Sequence, residues 1–220
     1  MKKKSMKFSS PVFILQLLIV AAMLGTGWYL FDQLPDQMPT HWNIEGQVDA
    51  YMPKGSAILL FPGITLAVTL LFPLLSMIDP RKEKYVLFRR PWLILQIVIV
   101  LFFAYMYFVS VYLALNPEIL ITPFILGGIG VLFIIIGNYL GKVRQNYFVG
   151  IKTPWTLNSE EVWNKTQRVG GWAFMFAGIV ILINGFVKWQ LVPVMIAVIA
   201  IAAIGPIVYS YILYRKLKKL

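Results

Sequence analysis

Eighteen of the twenty lysine and arginine residues fall in gaps that six long apolar runs would place on one side of a membrane. The runs cover about residues 11–31, 56–78, 92–115, 119–140, 169–187 and 191–213, and none holds a charged side chain. Each approaches the roughly 20 residues a helix needs to cross hydrocarbon. Backbone amides in lipid have only one another to pair with, so each run is expected to be an α-helix. The fold class that follows is an all-α integral membrane protein with six transmembrane helices. A composition 59% hydrophobic and 13% charged leaves no room for a soluble alternative.

The basic residues set the orientation. They stand at the N-terminus (Lys2, Lys3, Lys4, Lys7), after run two (Arg81, Lys82, Lys84, Arg89, Arg90), after run four (Lys142, Arg144, Lys152, Lys165, Arg168) and in the tail (Arg215, Lys216, Lys218, Lys219). Only Lys54 and Lys188 fall on the other side. The positive-inside rule therefore puts both termini in the cytoplasm. Weighed against the acids, the inner regions carry +14 and the outer ones −3. Basic residues that hug helix ends speak for anionic membrane lipids and against direct binding of nucleic acid. Run one follows a lysine-rich start but lacks a small-x-small cleavage site, and is expected to be a retained signal anchor. There is no cysteine, so disulfides, thiolate metal sites and cysteine nucleophiles are excluded.

Two modules are expected. Residues 1–91 hold two spans and an outer loop, 32–55; residues 92–220 hold four spans and an ordered cytoplasmic loop, 142–168. Short links, Asn116-Pro117-Glu118 and Lys188-Trp189-Gln190, make the flanking helices antiparallel neighbours. In the outer loop, Pro35 and Pro39 favour extended backbone, and Glu45-Gly46 reads as a turn, so a small hairpin or compact loop fits. His41, Glu45 and Asp49 form the one conceivable metal or acid/base cluster. Catalytic zinc wants three defined ligands, so a hydrogen-bonded loop is the expectation, with no metal and no cofactor.

The inner loop is too apolar for an idle linker, with Tyr147, Phe148, Ile151, Trp155, Leu157 and Trp163. Pro154 pushes Thr153 into extended backbone. Asn158 and Glu161 have capping-box spacing, which predicts a helix starting near Ser159 and running into span five. Glu161 and Lys165 stand i,i+4 in the favourable order. These aromatics can anchor backbone at lipid headgroups, or form a folded cap that a partner recognises. Gly130, Gly137 and Gly141 on span four, and Gly171, Gly178 and Gly185 at intervals of seven on span five, predict close packing of those two helices at both ends of the loop.

The string Asn146-Tyr147-Phe148-Val149-Gly150-Ile151-Lys152-Thr153-Pro154-Trp155-Thr156-Leu157, followed by Glu161, Val162, Trp163 and Thr166, closely resembles the signature of the SdpI family. These are bacterial membrane proteins named for immunity to a secreted peptide toxin, the sporulation-delaying protein. The outer loop resembles a module often found with it, through Leu34, Pro35, Pro39, His41, Trp42, Asn43, Gly46 and Asp49; no chemistry is assigned to that module. Two positions depart from the pattern. Lys152 stands where arginine is usual and Gln167 where histidine is frequent, so toxin range or a partner contact could differ. The resemblance implies an immunity factor in the cytoplasmic membrane of a bacterium, meeting a peptide toxin on the outer side or within the membrane. It also allows a signalling role, in which the occupied protein draws a transcriptional repressor to the membrane.

Two other functions compete. A transporter is allowed by six helices, but ion relays usually place ionisable residues in the membrane, and these spans offer only neutral polar groups: Gln16, Thr65, Thr69, Gln96, Asn138 and Asn184. An enzyme would need a positioned nucleophile or acid/base pair. Glu160 and Glu161 diverge by about 100° on a helix, and Ser159 has no histidine on its side of the membrane. The expectation is a non-enzymatic immunity protein. Its cytoplasmic cap would use Asn146, Gly150, Lys152, Thr153, Pro154, Trp155, Thr156, Leu157, Glu161 and Trp163, with Pro154, Trp155 and Trp163 foremost.

Overall fold

The computed structural model describes residues 11–43, 47–187 and 192–218. The predicted link 188–190, the Glu45-Gly46 turn and the first four lysines lie outside them. Six helices are long and apolar enough to cross a membrane: α1 (Pro11–Tyr29), α2 (Lys54–Ile78), α3 (Arg89–Leu115), α4 (Thr122–Leu140), α6 (Glu160–Val187) and α7 (Val192–Lys218). The protein is a multi-pass membrane protein. A short helix, α5 (Pro154–Asn158), precedes α6, and a 3-10 helix, Lys82–Phe88, leads into α3.

The loop after α1 departs from a wholly helical fold. Strands β1 (Gln37–Trp42) and β2 (Val48–Pro53) pair antiparallel, with Gln37 opposite Pro53 and a register shift between Pro39 and Trp42. Pro39 lies in the shifted stretch, where a strand lacking one N–H donor is tolerated. The hairpin is tied down by apolar plugs. Leu34 and Met38 are buried among Met23 of α1, Ile58 of α2 and Tyr107 of α3. Trp42 packs on Val109, Leu113 and Ile121.

Helices α1, α2 and α3 pack together. Gly27 of α1 lies against both Ile58 of α2 and Tyr107 of α3, close enough that a Cβ at Gly27 would strike the Tyr107 hydroxyl. Counting eleven residues along each helix from that contact brings Gln16, Thr69 and Gln96 to one level, and all three are buried. Both side-chain amide atoms of Gln16 and the Thr69 hydroxyl have no hydrogen-bond partner among the described residues.

Helices α4 and α6 form the most extensive helix pair. Added Cβ atoms on Gly137 and Gly171 would each come within 2.6 Å of the other's carbonyl oxygen, and one on Gly178 within 2.6 Å of the Gly130 carbonyl. Gly185 sits beside Leu126, and Gly141 beside Arg168. Glycines at these positions let backbone meet backbone, the principal source of helix association where lipid supplies no hydrophobic drive.

Candidate functional site at the basic end

Between α4 and α6 the chain folds back on itself over residues 141–159. Asn146 organises the first half. Its Oδ1 accepts from the N–H of Phe148 (2.8 Å) and Val149 (2.7 Å), while its Nδ2 donates to the carbonyls of Arg144 (2.8 Å) and Val149 (2.9 Å). Asparagine side chains mimic backbone turns in this way, and this one is wholly buried. Gly150 then takes φ +116°, and a Cβ there would meet the Gln167 amide at 2.9 Å. Both demands require glycine.

The second half is a capped turn of helix. Thr153 is extended, as Pro154 requires. Its Oγ1 accepts from the Thr156 N–H (3.1 Å), and Thr156 Oγ1 accepts from the Thr153 N–H (2.8 Å). This reciprocal pair starts α5 at Pro154. At the other end of α5, Gln145 Nε2 donates to the carbonyls of Thr156 (2.7 Å) and Leu157 (3.1 Å). The expected Asn158–Glu161 capping box does not form. Asn158 closes α5, Ser159 is extended, and its Oγ accepts from the Val162 N–H at 3.3 Å to open α6. The predicted start of that helix and its continuity into span five hold. The Lys165 ammonium meets Glu161 at 2.7 Å on an exposed face.

The three favoured side chains fall in different places. Trp163 is fully buried and donates its Nε1–H to the Val143 carbonyl at 2.8 Å. It therefore shapes the assembly from within. Trp155 packs on Tyr211 of α7 with ring centroids 5.0 Å apart. Thr153 and Ser210 share a buried hydrogen bond of 3.1 Å, so α7 is bound to the loop at two points. Pro154, Lys152 and Glu161 are exposed, and Lys152 Nζ donates to the Phe148 carbonyl at 3.1 Å. Leu157 packs with Val149 against the cluster around Trp163.

Sequence reasoning missed a second wall, built by residues 79–88. Asp79 is buried; its Oδ2 accepts from the Tyr85 hydroxyl and the Tyr147 N–H, both at 3.0 Å, and its Oδ1 from the Arg81 N–H at 2.7 Å. Arg81 reaches across to the Leu157 carbonyl at 3.0 Å and lies over the Tyr147 ring. Lys84 meets Gln145 and Glu160. Beneath them Phe72, Tyr85, Phe88, Trp92 and Trp163 form one aromatic cluster. An isolated aspartate at the end of an apolar run, among basic residues, was the available signal.

At the hairpin end, His41 Nδ1 and Asp49 Oδ1 are hydrogen-bonded on an exposed surface. Asn43 and Gln47 close the described part of the turn, with each N–H bonded to the other residue at 2.9 Å. Gly46 and Glu45 lie outside the described residues. Among the described residues no group of three His, Asp or Glu side chains is gathered as a metal site.

Comparison with known proteins assigns both ends. Residues 142–210 match the SdpI/YfhL protein family, and residues 18–66 match a domain of unknown function, DUF1648. The chain is 27% identical over 205 residues to the immunity protein SdpI of Bacillus subtilis (strain 168), covering 93% of this chain and 96% of that one. No solved structure matches.

Proposed function

We propose that this chain, a multi-pass membrane protein that belongs to the SdpI/YfhL family, is a non-enzymatic immunity protein of a bacterial cytoplasmic membrane, protecting its cell from a secreted antimicrobial peptide. The observation that carries this reading is the end-to-end similarity to an immunity protein. We read the chain as two modules, 1–91 and 92–220, with the basic end cytoplasmic and the hairpin end outside. The basic gaps support that orientation.

In this reading the hairpin and the outer halves of the helices meet the peptide, and the loop assembly at the basic end is a cytoplasmic cap. Its surface is formed by Lys152, Pro154, Glu161 and the edge of Trp155, and held from beneath by Asn146, Gly150, Thr153, Thr156, Leu157 and Trp163. Recruitment of a transcriptional repressor to that surface is the finer form of the proposal. A rigid, exposed loop between two tightly packed helices suits it, because little ordering entropy is lost on binding.

The test is survival of a toxin-sensitive bacterium expressing the chain and challenged with the sporulation-delaying peptide. Protection, lost in Trp155→Ala with the variant still in the membrane, is the expected result. No protection from a correctly inserted wild-type chain overturns the reading.

A further inference from the structure

Asp79 is the only buried acid among the described residues. It also stands at the C-terminal end of α2, where the helix dipole disfavours a negative charge. No ion pair among the described residues involves it; its carboxylate is held by the Arg81 and Tyr147 N–H groups and the Tyr85 hydroxyl. Three donors from two separate segments fix its position. Its longest reach in sequence, to Tyr147, crosses from the first module to the turn that Asn146 organises.

The other end of α2 is pinned as well. The Lys54 N–H donates to the Asp36 carbonyl (2.9 Å), and its ammonium meets the Leu34 carbonyl (3.3 Å) and the Asp36 carboxylate (3.1 Å). One helix, Lys54–Ile78, is thus tied to the hairpin at one end and to the cap at the other.

We propose that Asp79 is the positioning residue through which the first module sets the cytoplasmic cap: it fixes Tyr147, and with it the Asn146–Gly150 turn, according to where α2 stands. This rests on the immunity reading for the cap's purpose, while the geometry of the coupling stands apart from it. The cap is then a composite of both modules. A shift of the hairpin along α2 is felt at Tyr147.

The chain has no cysteine, so paired cysteines report without background. Lys84→Cys with Glu160→Cys spans the two walls of the cap, where the native side chains approach to 3.5 Å. Cross-linking by a short bis-maleimide in membranes is compared in the native, Asp79→Asn and Glu83→Gln backgrounds, Glu83 being an exposed neighbour. In Asp79→Asn the yield is expected to fall about fivefold, the worth of one hydrogen bond, and protection to fall with it, while Glu83→Gln changes neither. If Asp79→Asn fails to insert, Tyr85→Phe removes one hydroxyl from the same network and is read the same way. A native yield in the variant, or a reduced yield with full protection, overturns the proposal. If the native chain protects against nothing, the immunity reading fails and the yields alone decide: reduced supports the coupling, unchanged overturns it.

Discussion

The side-chain amide of Gln167 brackets the peptide groups of Ile151: its Oε1 accepts from the Ile151 N–H and its Nε2 donates to the Ile151 carbonyl, both at 2.9 Å. The same amide lies under Gly150, so the positive-φ turn is closed by a residue on α6. Histidine, frequent here in the SdpI pattern, carries its donor and acceptor on separate ring edges and cannot bracket one residue's two groups. Gln167→Leu should therefore strand the Ile151 N–H, leaving the carbonyl to the Thr156 hydroxyl at 3.1 Å, and destabilise the protein by about 1–3 kcal/mol. Thermal unfolding in detergent reads this, with Gln167→His expected between the two. An unchanged midpoint in Gln167→Leu would show that water replaces the amide at no cost.

Gly178 faces the Gly130 carbonyl across the α4–α6 contact. A methyl group there would come within 2.6 Å of that oxygen and 2.8 Å of the Ile134 nitrogen, and backbone cannot swing aside as a side chain does. Gly178→Ala should separate the helices. The stacked pair Phe133 and Phe174, with centroids 5.1 Å apart, offers a reporter: cysteines at those positions should be bridged by a short bis-maleimide in the native background and poorly with Gly178→Ala. Equal cross-linking would mean the pair is not held by the glycine contact.

Gln16 is buried between α1, α2 and α3 with neither amide atom bonded among the described residues. An unsatisfied buried polar group costs about 1–3 kcal/mol. Gln16→Leu keeps the volume and removes the penalty, so the unfolding midpoint should rise by several degrees. A fall would reveal that Gln16 is bonded in the membrane and belongs to a polar layer with Thr69 and Gln96.

Sidedness is open to direct labelling in the cysteine-free chain. Asp36→Cys at the hairpin end, where the side chain is 93% exposed, should react with an impermeant maleimide on intact cells. Asn158→Cys, exposed at the basic end, should react only after permeabilisation. The reverse pattern would invert the topology.

Much of the architecture is local and was legible along the chain. Apolar runs such as 56–78 must be helices because their amides have no other partners in lipid. Glycines at 130, 137, 171 and 178 mark a close contact by their spacing alone. The turn at Asn146–Gly150 and the capped start at Thr153–Pro154 follow from residue chemistry over a few positions. Asn158 misled, because the helix started by Thr153 and Thr156 takes it as its last residue, and the extended Ser159 caps α6 instead.

The sequence by itself determined the membrane class, the six spans, the segment most worth testing and the family resemblance, because hydrophobic length and short motifs are properties of contiguous residues. Tertiary structure alone decided that Trp163 lies inside the cap and Trp155 against Tyr211. It also joined Asp79 to Tyr147 and Gln167 to Ile151, and levelled Gln16 with Thr69 and Gln96. The bonded pairs among these link groups 16 to 68 positions apart, and no local propensity encodes them. They exist because helix packing brings distant polar groups into a medium where each must find a partner or bear the cost of lacking one.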